Sequence, residues 1–195
     1  MKPVLIIVSG LSCTGKTTLA QKLSTYFHLP YFSKDMFKEL AFDRLGIKDR
    51  QWSQTIGRLA YDTLYLVTAN LLAQGKSLII ESNFKSKYDR PRLLSIQKQT
   101  PFRAVEILCH ANGDVLFDRF KTRALSGQRH PGHVDHLCLN EQQKILSAGL
   151  ATPLRLGRLI KIDTTDFATL DYQKIIAQIE AKIYPKSPKM LSYLQ

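Results

Sequence analysis

Residues 10–17, Gly10-Leu11-Ser12-Cys13-Thr14-Gly15-Lys16-Thr17, set two glycines, a lysine and a hydroxyl at the spacing G-x-x-x-x-G-K-[ST]. Gly10 and Gly15 can take backbone angles that a Cβ forbids, so the N–H groups of Ser12, Cys13 and Thr14 can turn inward around an anion. Lys16 supplies a point charge for β- and γ-phosphates, and the Thr17 hydroxyl is a ligand for Mg²⁺. The apolar run at 4–8 leads in as a short strand, and residues 17–27 lead out as a helix. That helix aims its dipole and its first N–H groups, those near Thr18 included, at the same point. The stretch predicts a phosphate-binding loop with ATP and Mg²⁺ as its ligands.

Two carboxylates are placed to work with that loop. Asp35 lies just beyond the short apolar segment 31–33, at the start of a helical pattern. It suits a base that takes the proton of an attacking hydroxyl, and equally an N-cap with structural work only. Glu81 closes the all-apolar run at 77–81, the place of a group that holds Mg²⁺ through water or orients the nucleophile, with Thr17 as the other metal ligand. A salt bridge to a nearby lysine is the alternative. Arg119, Arg123 and Arg129 belong to a cationic stretch, about 119–136, that suits a lid bringing guanidinium forks onto a transferring phosphoryl group. A solvated helix face followed by a polar loop would read the same way. His130, His133, His136 and Cys138 crowd together, but H-x-x-H-x-x-H-x-C is not a familiar zinc spacing. Cys13 reads as a small filler rather than a reactive thiol, and Trp52, Tyr61 and Tyr65 as core aromatics rather than a stacking platform.

The elements that must position these groups follow from periodicity and punctuation. Strands are expected at 4–8, 31–33, 77–81, 104–109 and 159–163. Helices are expected at 17–27, 36–45, 52–74, 86–99, 112–125, 137–150 and 170–184, and the segment 126–136 reads as too polar for the core. Alternating strands and helices imply an α/β fold: one P-loop domain over 1–184, a five-stranded parallel sheet flanked by helices, and a loose tail over 185–195. Ligands of such sheets lie beyond the carboxyl ends of the strands, which gathers the loop, Asp35, Glu81 with Asn83, and 109–112 at one edge.

The whole chain of 195 residues is 23% charged with a net charge of +12, which favours anionic company: nucleotides, and nucleic acid as a further partner. Three cysteines without paired spacing and the lack of a long apolar run point to a reducing cytoplasm and no membrane.

Residues 10–17, Ser33-Lys34-Asp35, the segment 78–84 and the run 119–133 with its Arg129-His130-Pro131-Gly132-His133 together resemble the small P-loop kinases. That group includes polynucleotide 5′-hydroxyl kinase domains, chloramphenicol phosphotransferase and zeta-toxin-like kinases. The resemblance implies that Asp35 activates an acceptor hydroxyl and that the lid arginines steady the transferred group. Two positions depart from it: the strand-three acid is Glu81 rather than aspartate, and Lys38 stands where polynucleotide kinases have arginine. The expected activity is ATP-dependent phosphoryl transfer to a small-molecule hydroxyl. A polynucleotide 5′-hydroxyl kinase and a nucleotide-binding regulatory module stay open as alternatives. A guanine-nucleotide switch lacks its Asn-Lys-x-Asp motif here.

Overall fold

The computed structural model describes residues 2–127 and 129–183. The expected tail at 185–195 lies outside the described residues. Five strands, β1 (Val4–Gly10), β2 (Tyr31–Ser33), β3 (Leu78–Ser82), β4 (Arg103–His110) and β5 (Arg158–Asp163), form one parallel sheet in the order β2-β3-β1-β4-β5. Seven helices connect or follow them: α1 (Lys16–Phe27), α2 (Lys34–Leu45), α3 (Arg50–Ala73), α4 (Ser86–Gln99), α5 (Gly113–Leu125), α6 (Leu139–Leu146) and α7 (Tyr172–Ile183). No described helix is long and apolar enough to cross a membrane.

β1 is buried at all seven residues because it is the middle strand, covered on both faces. Its alternation divides the core. Val4, Ile6 and Val8 pack toward α1 and α7, through Leu19, Leu23, Ile179 and Ile183. Leu5 and Ile7 pack the other way, toward Leu64, Leu72 and Leu93 of α3 and α4. Each such side chain contributes roughly 1.5–3 kcal/mol by leaving water, so the strand that carries the loop is the best-anchored element of the molecule. Register then levels the chemistry: Val8 pairs with Glu81, and Glu81 with Ser33. The loop after β1, Glu81 at the end of β3 and the start of α2 after β2 therefore share one rim.

Two expectations about the second half need correction. The helix expected at 137–150 is only Leu139–Leu146. Residues 135–138 instead form a 3₁₀ turn, and the chain leaves α6 so that Gly149, at φ +65°, can accept the Ala111 N–H through its carbonyl. The segment 126–136 is not wholly outside the core either: Gly132, His133 and Val134 are buried. Its polar side chains find partners on α2, which is how a polar sequence is buried without leaving groups unpaired.

Glu106 in the middle of β4 has no exposed surface. It accepts the Leu154 N–H at 2.6 Å and the Arg155 N–H at 2.9 Å, tying down the loop that leads into β5. Burial pushes its carboxyl upward and those two amides pull it partly back. Glu106→Ala strands both amides beside a cavity, a cost of about 3 kcal/mol. The expected result is a melting temperature lower by roughly 6–12 °C in thermal denaturation.

Candidate active site

Beyond the strand ends lies a cavity of about 310 Å³ lined by the P-loop, by Lys34 and Asp35 of α2, by Glu81 and Asn83, and by Arg119, Arg123, Arg129 and Phe167. The loop itself is built for an anion. A Cβ on Gly10, which sits at φ +148°, would lie 2.4 Å from the Cys109 carbonyl oxygen, so only glycine lets β1 turn there against β4. Among the described residues, the N–H groups of Ser12, Cys13, Thr14 and Gly15 make no hydrogen bond of normal geometry to a protein acceptor. They are the unpaired donors that a phosphate chain satisfies. Thr14 is wholly buried, its hydroxyl donating to the Leu11 carbonyl at 2.9 Å, so its side chain braces the loop from behind.

Lys16 is buried and donates to the Leu11 carbonyl at 2.9 Å, with Glu81 Oε1 4.0 Å away. Burial pushes its ammonium below the ordinary lysine range, against the pull of Glu81. Glu81 Oε2 accepts from the Thr17 hydroxyl at 3.1 Å and from the Tyr31 hydroxyl at 3.3 Å. The Thr17–Glu81 pair presents two oxygens at the mouth of the loop, a donor set suited to a hard cation such as Mg²⁺. The Lys16–Glu81 contact is the salt bridge expected as the alternative, and both residues line the same cavity as Thr17.

Asp35 is not the helix cap. Ser33 takes that role, its hydroxyl accepting the Met36 N–H at 3.1 Å, which leaves the Asp35 carboxylate to the cavity. Lys34 Nζ lies 2.6 Å from one carboxylate oxygen and Arg129 Nη2 2.9 Å from the other. Burial would raise the Asp35 carboxyl, but Lys34, Arg129 and His133 outweigh it and hold the group well below the usual carboxylate range. Arg129 also contacts Asp135 at 3.0 Å, and Arg123 reaches the same oxygen of Asp135 at 3.2 Å. Arg119 donates to the carbonyls of Thr164 and Thr165 and lies 3.8 Å over the Phe167 ring.

The lid is docked on α2. Asp35, Glu39 and Asp43 lie four residues apart on one helix face, and they take Arg129, His133 and His130 respectively. Arg129 cannot accept, so its 3.0 Å contact with His133 Nδ1 makes that nitrogen the acceptor, and Nε2–H donates to Glu39 at 2.8 Å. Burial pushes His133 below the ordinary histidine range, against the Glu39 hydrogen bond, which favours this neutral form. His130 accepts the Gly132 N–H at Nδ1 and lies 3.1 Å from Asp43 at Nε2. Phe42 stacks under His130 at 5.6 Å, and Gly132 passes so close to that ring that a Cβ would lie 2.2 Å from it.

The residues expected to act together therefore converge: Ser12, Cys13, Gly15, Lys16, Thr17 and Thr18 with Asp35, Glu81, Arg119, Arg123 and Arg129 line one cavity. Gly10 lines an adjoining cavity of about 670 Å³ with Tyr61, Lys85 and Tyr88. Tyr61 is thus a wall residue, while Tyr65 is buried and donates to Asp89 at 2.6 Å, and Trp52 donates to the Gly46 carbonyl at 2.9 Å. Burial pushes the Cys13 thiol up despite Arg123 and Lys16 nearby, in keeping with a filler. Cys109 is wholly buried, its thiol pushed up to about 12, so the end of β4 contributes packing rather than chemistry. Cys138 is held by Arg50 and His136 is exposed; among the described residues no three His, Cys, Asp or Glu side chains are grouped to hold a metal. Sequence reasoning missed Phe167, Asp135 and the part played by Lys34. An aromatic just past the fifth strand was the available signal for the first, and an acid flanked by lid cations for the second.

Residues 5–148 match the family model AAA_33, an AAA domain. The chain is similar to a candidate kinase from Chloroflexus aurantiacus at 42% identity and TM-score 0.90, covering 94% of this chain and 100% of that one. It also superposes on Kti12 from Chaetomium thermophilum, solved with ADP-AlF3 (18% identity, TM-score 0.63, 93% and 100% covered). A sugar kinase from Janibacter sp. aligns at 15% identity and TM-score 0.56, with 94% and 95% covered. These last two likenesses show the fold alone. No curated protein matches the chain.

Gly132→Ala should drive the lid off α2, because the Phe42 ring is buried and has nowhere to go. Faster limited proteolysis within 126–138, with a loss of about 1–3 kcal/mol, is the expected result. Acid should loosen the same segment. His133 titrates lower in the fold than when unfolded, so its contribution is complete above the ordinary histidine range and is lost as pH falls through the depressed value. Proteolysis of 126–138 should accelerate between about pH 7 and pH 5; an unchanged rate would mean that His133 does not hold the lid.

Proposed function

We propose that this chain, which belongs to the AAA_33 family of AAA domains and has the fold of the small P-loop kinases, is an ATP-dependent phosphotransferase acting on a small-molecule hydroxyl. The observation that carries the reading is the meeting, in one cavity, of an anion cradle, the Asp35 carboxylate and three arginines.

In this reading the amides of 12–15 and the Lys16 ammonium hold the triphosphate of ATP. Thr17 and Glu81 would hold Mg²⁺, which would supply neutralising charge to the triphosphate. Asp35 accepts a hydrogen bond from the acceptor hydroxyl, orients its oxygen toward the γ-phosphorus, and takes the proton late, as the new O–P bond forms and the bond to the β-bridging oxygen breaks. A carboxylate held so far below its ordinary range is a weak base while Lys34 and Arg129 both grip it. Arg129 also lines the phosphate cavity, so a bound γ-phosphoryl group competes for the same guanidinium. Its departure from Asp35 makes the carboxylate more basic when it is needed. Arg123 stays between Asp135 and the cavity, ready to neutralise equatorial oxygens.

Steady-state ADP release with a panel of hydroxyl compounds tests this. Asp35→Asn should lower kcat by about 10²–10⁴-fold while ATP affinity stays within a few-fold. Lys16→Ala should cost about 10³-fold or more in kcat/KM. Full transfer by a folded Asp35→Asn protein would take Asp35 out of the chemistry, and no affinity for Mg·ATP would end the proposal.

A further inference from the structure

A third cavity, about 190 Å³, lies between α2, α3 and the lid. It meets the phosphate cavity at Ser12, Lys34, Asn83, Arg123 and Arg129. Four of the cations on its wall have a carboxylate partner: Lys34 has Asp35, Arg50 has Glu141, Arg123 has Asp135, and Arg129 has both aspartates. Lys38 has none within 4.0 Å among the described residues, although only 9% of it is exposed. Its ammonium donates to the Ser53 hydroxyl at 2.9 Å, and that hydroxyl donates in turn to the Gly132 carbonyl at 2.8 Å. One of three N–H donors is thus used, and the Phe42 ring 5.4 Å away offers only weak compensation.

Burial lowers the Lys38 ammonium to about 8, so it remains largely charged at neutral pH. A buried charge with no carboxylate in contact is costly, since Asp35 and Asp135 act on it only from beyond 4.0 Å, and a methionine would fill the same space more cheaply. Resting on the kinase reading above, we propose that the phosphoryl acceptor is itself anionic, a small hydroxy acid or hydroxyalkyl phosphate whose acid group binds Lys38 while its hydroxyl faces Asp35. The two residues are three apart on one helix face, roughly 5–6 Å between side-chain roots, which matches an acid group two or three bonds from the reacting hydroxyl.

The test uses the full chain saturated with Mg²⁺ and a non-hydrolysable ATP analogue, so that acids cannot occupy the P-loop. Three matched compounds, glycerol, glycerate and glycerol 3-phosphate, are titrated calorimetrically. One of the acids should bind saturably, and which one identifies the acid group; glycerol should not. Lys38→Met should weaken that binding at least about tenfold, with affinity for the analogue unchanged and with Lys38→Arg restoring most of it. If Lys38→Met does not fold, Lys38→Gln removes the charge in its place. Acids that bind no better than glycerol, or that bind the Lys38 variants undiminished, overturn the proposal. Failure of the analogue to bind would strike the kinase reading instead.

Discussion

One guanidinium between two carboxylates holds the working half of this molecule together. Arg129 reaches Asp35 on α2 and Asp135 in the lid, and its remaining contact fixes the tautomer of His133. Exposed ion pairs contribute little, but these groups are largely removed from water and share partners, so each one orients the next. The lid is consequently a packed part of the domain, sealed by the Phe42 ring and by the Ser53 bond to Gly132. Whatever occupies the phosphate cavity must bargain with this network rather than with isolated side chains.

The sheet makes that possible by being indifferent to it. β1 is buried on both faces and contributes no catalytic side chain before the P-loop, so its apolar residues fix the position of the loop. The rim is where polarity begins, and Glu81 is the point at which the buried run of β3 turns into chemistry. Glu106 shows the other way to bury an acid: two backbone amides satisfy it, and it serves the architecture alone.

Much of this was legible in the chain itself. The P-loop motif, the five strands and most helix limits are local, set by apolar period and by glycine and proline punctuation, and the strand-end rule put Asp35 and Glu81 at the rim, where both line one cavity. What was not legible depends on contacts far apart in sequence. Ser33 and Asp35 are both competent caps, and only the folded helix shows that Ser33 does the capping. The run 126–136 looks solvated because its composition is polar, while its burial rests on Phe42, Ser53 and the acids of α2, some 80 or more residues earlier. Lys38 looked like a departure from a pattern; its lack of a carboxylate partner is visible only in three dimensions.

The spacing of Asp35, Glu39 and Asp43 has a mechanical meaning as well. Three attachment points on a single rod cannot be released one at a time by turning it: a rotation that withdrew Asp43 from His130 would swing Asp35 away from the cavity at the strand ends by the same angle. Docking of the lid and the aim of Asp35 at the cavity are thus one coordinate.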